Sequence, residues 1–192
     1  MIIKLGLAWL GNWAKLSRLR RAAKDQSGIA AVEFALVVPI AVVLLVGGID
    51  YSDAISMQRK ITLADRTVTD LVTQYTTINT STLALNLAAS ASIIAPYSSA
   101  NLVMTVSEVT TNAAGVATVI WSQSYNGSKR AIGTTLTLPV RTPQPNATLI
   151  FGEVQYSDTP YVGYALTGTM LLHDSSVMSP RLGSNIPCTD CT

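Results

Sequence analysis

From Ile29 to Ile49 the chain is apolar at every position except Glu33. At about 1.5 Å per residue in a helix, these 21 residues reach roughly 31 Å, close to the roughly 30 Å of a bilayer's hydrocarbon. The pattern therefore predicts a membrane-spanning helix over 29–49. After Asp50 the period changes. Met57, Ile61, Ala64, Val68, Leu71, Val72 and Tyr75 recur at helical steps with charged residues between them, and no Gly or Pro interrupts from Tyr51 to Ala95. This predicts a stalk helix over 50–79 whose stripe packs on its own body or on a neighbour. The Thr, Asn and Ser of Thr76 to Thr82 supply a break and an N-cap for a second helix from about Leu83 to Ile94, stopped by Pro96.

Beyond Pro96 the period falls to two. Leu102, Met104, Val106 and Glu108 share one face of a strand over Asn101 to Thr110, Asn112 to Gly115 forms a turn, and Val116 to Tyr125 returns as the second arm of a hairpin. Asn126 to Asn146 contains Pro139, Pro143 and Pro145 and reads as irregular, with a short strand at Thr134 to Leu138. Ala147 to Tyr156 is a further strand, and Gly168 to Leu172 a weaker one before a Gly, Pro and Ser-rich tail. Helices followed by antiparallel strands make an α+β chain: an N-terminal transmembrane helix extended into a long stalk helix, then a small antiparallel sheet body over 80–192.

Composition sharpens this in one respect, the distribution of charge. Residues 1–28 hold six basic side chains against Asp25, a net of +5, and the remainder carries a net of −3. A basic head before an apolar span places the N-terminus in the cytoplasm and residues from about 50 outside it. Trp9 and Trp13 suit a membrane interface, and the basic cluster is accounted for by topology, so no nucleic-acid partner is expected. No small-residue cleavage site follows the apolar core, so the segment is either an uncleaved anchor or is cut before the core.

Catalytic chemistry finds little support. The chain has one histidine, His173, and no phosphate loop, nucleophile elbow or metal-spaced cluster, so no enzyme activity, cofactor or metal is expected. Asn79, Asn126 and Asn146 begin glycosylation sequons, a pattern too short to carry weight in a Thr- and Ser-rich chain. Cys188 and Cys191 are too few for a structural zinc site and, outside the cytoplasm, read as a short-loop disulfide pinning the tail.

The informative chemistry is Gly28 before the apolar helix with Glu33 five residues on. A glycine offers a protease no side-chain obstruction, and cutting after it would remove the basic head, expose the α-amine of Ile29 and leave the helix attached. A carboxylate at membrane depth costs on the order of 3 kcal/mol. In a bundle, Glu33 of one subunit pairing with the Ile29 amine of another lowers that cost, which makes Glu33 an assembly determinant.

Gly28-Ile-Ala-Ala-Val-Glu33-Phe-Ala-Leu-Val-Val-Pro39 resembles the processing site of type IV pilins and pseudopilins. Its Ala-Val-Glu-Phe-Ala-Leu core with a following Pro resembles the TadE-like family in particular, the minor pilins of tight adherence (Flp) pilus systems. Val177-Met-Ser-Pro-Arg181 resembles a C-terminal feature of the same proteins. The resemblance implies a single-pass protein of the bacterial inner membrane with a periplasmic body, possible placement at the pilus or cell surface, cleavage by a prepilin peptidase between Gly28 and Ile29, and assembly through Glu33, Phe34 and Pro39. The implied partners are that peptidase, other pilins or pseudopilins, the pilus assembly machinery and the lipid bilayer, in the service of surface adhesion. A body this large favours a minor subunit over the short main filament subunit. The alternatives are an unprocessed, membrane-anchored periplasmic binding or structural protein and, from a different class, an anchored hydrolase.

Overall fold

The computed structural model describes residues 27–139, 144–160 and 168–191. The expected basic leader with Trp9 and Trp13, and Pro143 of the proline-rich segment, lie outside these. The chain divides into two compact units, one up to Gly47 and one from Gly48 onward.

In the first unit the described residues belong to α1, a helix of 47 residues over Ser27–Thr73 that runs through Pro39. Its N-terminal apolar part is long and apolar enough to cross a membrane. Ile29, Phe34, Leu36, Leu44 and Leu45 are all exposed. A helix apolar on every side has no polar face to turn to water, which is the pattern of a helix solvated by lipid.

The second unit begins with the C-terminal part of α1, where the predicted stripe is buried at Met57, Ile61, Ala64, Val68 and Val72. α2 follows at Thr80–Ala91 with a 3₁₀ turn at Ser92–Ile94, so the regular helix starts three residues earlier and ends three residues earlier than expected. Asn79 is its N-cap, accepting the Thr82 N–H at 2.8 Å.

Five antiparallel strands complete the α+β fold: β1 Leu102–Thr111, β2 Ala117–Tyr125, β3 Thr135–Leu136, β4 Thr148–Asp158 and β5 Met170–Met178, in the order β3-β2-β1-β4-β5. The expected hairpin is present as β1 and β2, closed by a turn in which Asn112 Oδ1 accepts the N–H groups of Ala114 and Val116 and Gly115 takes a positive φ. A strand at Thr134 to Leu138 shrinks to the two residues of β3. The weak strand expected at Gly168 to Leu172 is instead the nine-residue β5, extending through His173-Asp-Ser-Ser176.

Two hydrophobic clusters lie on opposite faces of this sheet. Leu102, Met104, Val106, Trp121, Ile150, Val154 and Tyr156 join the buried stripes of α1 and α2. Val109, Ala117, Val119, Leu149 and Phe151 form a second cluster with Leu136, Leu138 and Ala147. The change of face within β2 comes from a bulge: Glu108 pairs with Trp121 but Val109 pairs with Val119, leaving Ile120 as the extra residue and inverting the alternation beyond it.

The C-terminal segment closes the helix-facing core. Ile186 is fully buried; its N–H donates to Glu108 Oε1 at 2.6 Å and its carbonyl accepts Trp121 Nε1 at 2.8 Å. Ile78 N–H donates to the Pro187 carbonyl and Thr189 N–H to the Ile78 carbonyl, both at 3.0 Å. Arg181 N–H donates to the Thr73 carbonyl at the end of α1, and its guanidinium pairs with Asp70.

Candidate functional site

The residues singled out for processing and assembly all lie on the N-terminal part of α1. Ile29 and Phe34 are 59% and 71% exposed, and Gly28 and Glu33 are exposed with them. Nothing stands within 4 Å of the position a Cβ on Gly28 would take. Helical geometry puts residues four apart on one face, so Ile29 and Glu33 stack one turn apart while Phe34 is turned away from that pair. Pro39 lacks the N–H that would bond to Ala35, and the helix continues past it. These residues make up an uncovered apolar surface interrupted by one carboxylate. Such a surface is able to associate with lipid through its apolar side chains and with a positive group through its carboxylate.

Cys188 and Cys191 are far from that surface in sequence and are joined as a disulfide. Asp190 between them reaches back to α2, accepting from Thr80 N and Thr80 Oγ1, each at 2.7 Å. These bonds hold its carboxyl below the usual range. The three side chains cluster closely enough to suggest metal ligands, but the sulfurs are bonded to each other and so are not thiolate donors.

The second unit also contains a cleft of about 1020 Å³, where Asp50 and Asp53 of α1 face Tyr97, Asn101, Tyr156 and Asp158. Burial raises Asp158 above the ordinary carboxylate range and the charges of Asp53 and Asp50 add to this, while Tyr97 is raised by burial and then by Asp53 and Asp158. Three acids around one opening concentrate negative potential. The arrangement can attract positive charge. His173 is exposed on β5, where its backbone carbonyl accepts Gln58 Nε2 at 3.2 Å; among the described residues no hydrogen bond joins its ring to a hydroxyl or carboxylate.

Two buried acids escaped the sequence reading. Glu108 shares its strand face with Leu102, Met104 and Val106, and its partner, Ile186, is 78 residues away in the chain. Asp65 is one of the charged residues interspersed with the stripe, yet it is 1% exposed. The signal was present: Asp65 is four residues after Ile61 and three before Val68, which puts it on the buried stripe itself. It lies against Gly152 of β4, where an added Cβ would come within 2.5 Å of Asp65 Oδ1 and closer still to Thr69 Oγ1.

Comparison with known proteins bears on α1. Residues 28–67 match the family model described as TadE-like protein, the family that the motif around Glu33 resembles. The matched stretch takes in the exposed apolar part of α1 and the buried stripe as far as Ala64 and Asp65. No curated protein and no solved structure matches the chain.

Proposed function

We propose that this chain is a minor pilin or pseudopilin of a tight adherence (Flp) pilus system, a structural protein and not an enzyme. The observation that carries the reading is the coincidence of the TadE-like match over 28–67 with a helix that is largely exposed and apolar through residue 49 and carries a buried stripe from Met57 onward. In this reading residues 1–28 are a cytoplasmic leader, 29–49 cross the bacterial inner membrane, 50–79 form the stalk and 80–192 the periplasmic body. A prepilin peptidase cuts between Gly28 and Ile29. The freed α-amine of Ile29 then pairs with Glu33 of a neighbouring pilin, with Phe34 packing beside it and Pro39 allowing the helix to bend as it leaves the bilayer. Through these contacts the protein joins or assists the assembly of a pilus that serves surface adhesion.

N-terminal sequencing of the mature chain from membranes of a bacterium that has a prepilin peptidase tests the reading. A chain beginning at Ile29 supports it, and one that retains Met1 overturns it. Glu33→Ala should leave cleavage intact and reduce piliation; normal piliation removes the amine pairing. The acidic cleft near Asp53 and Asp158 favours a second reading, an unprocessed membrane-anchored binding protein, which the retained leader would support.

A further inference from the structure

The seam between α1 and strands β4 and β5 holds a carboxyl group that assembly does not use. Asp65 is 1% exposed, and neither of its carboxyl oxygens has a hydrogen-bond partner. The charged groups that act on it come from every element around it. Asp174 of β5 shares its helix-facing side of the sheet and is bound by Thr62 of α1. Glu153 of β4 projects to the opposite face, where Arg130 holds it in two hydrogen bonds of 2.7 and 2.6 Å. Arg66, the next residue of α1, is exposed. A bare carboxylate here would meet two further acids and no buried cation.

The neighbouring hydroxyls restrict how this group can be satisfied. Thr69 Oγ1 donates its one proton to the Asp65 backbone carbonyl at 2.8 Å. The 2.9 Å contact between Ser176 Oγ and Thr69 Oγ1 must therefore be donated by Ser176, which has one proton too. The Asp65 carboxylate therefore receives a hydroxyl proton only when Ser176 turns away from Thr69.

We infer that Asp65 is a proton-operated latch between α1 and β5. Neutral, it sits uncharged in the seam beside the hydroxyl bonds that run from Ser176 to Thr69 and from Thr69 to the Asp65 carbonyl, and α1 stays packed on β5. Ionised, it either leaves its own oxygens unpaired or takes the Ser176 proton from Thr69, and the seam loosens. Burial agrees with this chemistry: it raises the Asp65 carboxyl from 3.8 to about 6, with the charges of Asp174 and Glu153 adding to the rise and the Ser176 hydroxyl and Arg66 partly opposing it. The latch thus responds to mildly acidic pH. The inference is independent of processing at Gly28.

The test uses the full chain in detergent micelles. Carboxyl ¹³C titration should show one aspartate near pH 6 that disappears in Asp65→Asn. Amide exchange of β5, corrected for intrinsic rate, should be about tenfold faster at pH 7.5 than at pH 5 in the wild type, the ratio expected when a group shifts between these two values on opening. Asp65→Asn, which carries no titrating group at this position, should be protected equally at both. An Asp65 titration below pH 5, or a wild-type pH step that persists in Asp65→Asn, overturns the inference. If Asp65→Asn fails to fold, the wild-type titration decides, and Ser176→Ala, which removes a hydroxyl that lowers the Asp65 carboxyl, should keep or enlarge the step in exchange; its loss in that variant overturns the inference.

Discussion

The backbone of Ile186 is clamped between two side chains of the sheet, with Glu108 Oε1 taking its N–H at 2.6 Å and Trp121 Nε1 giving to its carbonyl at 2.8 Å. Glu108 and Trp121 are cross-strand partners on the helix-facing side of β1 and β2. Glu108 carries a raised pKa from burial, which the Ile186 N–H and Trp121 partly offset. Glu108→Ala should orphan the buried Ile186 N–H and cost about 1–3 kcal/mol, with a further penalty for the cavity. Urea unfolding of the wild type and variant, followed by Trp121 fluorescence, measures the loss.

Gly152 of β4 lies directly against Thr69 and Asp65 of α1. Gly152→Ala should cost about 1–3 kcal/mol, because its methyl group overlaps Thr69 Oγ1 and Asp65 Oδ1. Combining it with Thr69→Ala should recover part of that loss, so that the double variant is less destabilised than the sum of the singles. Thermal unfolding of the three variants provides the comparison.

The Asp65 carboxyl fixes the sign of a pH effect. Its folded pKa, about 6, is above the unfolded value of 3.8, so the folded state holds the proton more tightly and its stability falls as pH rises between the two. At pH 7 and above the penalty should reach about 3 kcal/mol, and at pH 4 it should be under about 1 kcal/mol. Asp65→Asn removes this term. The variant should therefore unfold at a higher temperature than the wild type at pH 7.5 and at nearly the same temperature at pH 4.

Reduction of the Cys188–Cys191 disulfide should release a short closed loop, with a stability loss of about 2 kcal/mol on the chain-entropy view. It should also loosen Asp190 from the start of α2. Asn79→Ala, which removes the side-chain cap itself, should cost about 1 kcal/mol. Helix content and melting temperature with and without a thiol reductant, in the wild type and in Asn79→Ala, test both.

How far the sequence foretells this architecture depends on how local each contact is. The stripe from Met57 to Val72 and the hairpin around Asn112 to Gly115 are set by spacing and turn chemistry within a few residues, and both could be read directly. The motif from Gly28 to Pro39 was legible for the same reason. The bulge at Ile120 could not be read, since nothing in its own residue type distinguishes an unpaired position from a paired one. β5 was underestimated because His173-Asp-Ser-Ser176 resembles a loop until Thr62, Asp65 and Thr69 are seen facing it across the seam. Asp65 has the residue type of a solvent-facing position but the spacing of a buried one, and its burial follows the spacing.

The clamp on Ile186 also orders events in time. Glu108 and Trp121 are available once the first hairpin exists, but the backbone that satisfies them arrives only when the chain has extended beyond residue 186, and the ties at Ile78 and Thr80 require it to extend to 190. Contacts over such separations close late. A chain stalled or cut before Ile186 would hold α1, α2 and the hairpin yet expose a carboxylate, an indole N–H and an open core. Incomplete copies of this body would therefore leave unpaired the same groups that secure the complete one.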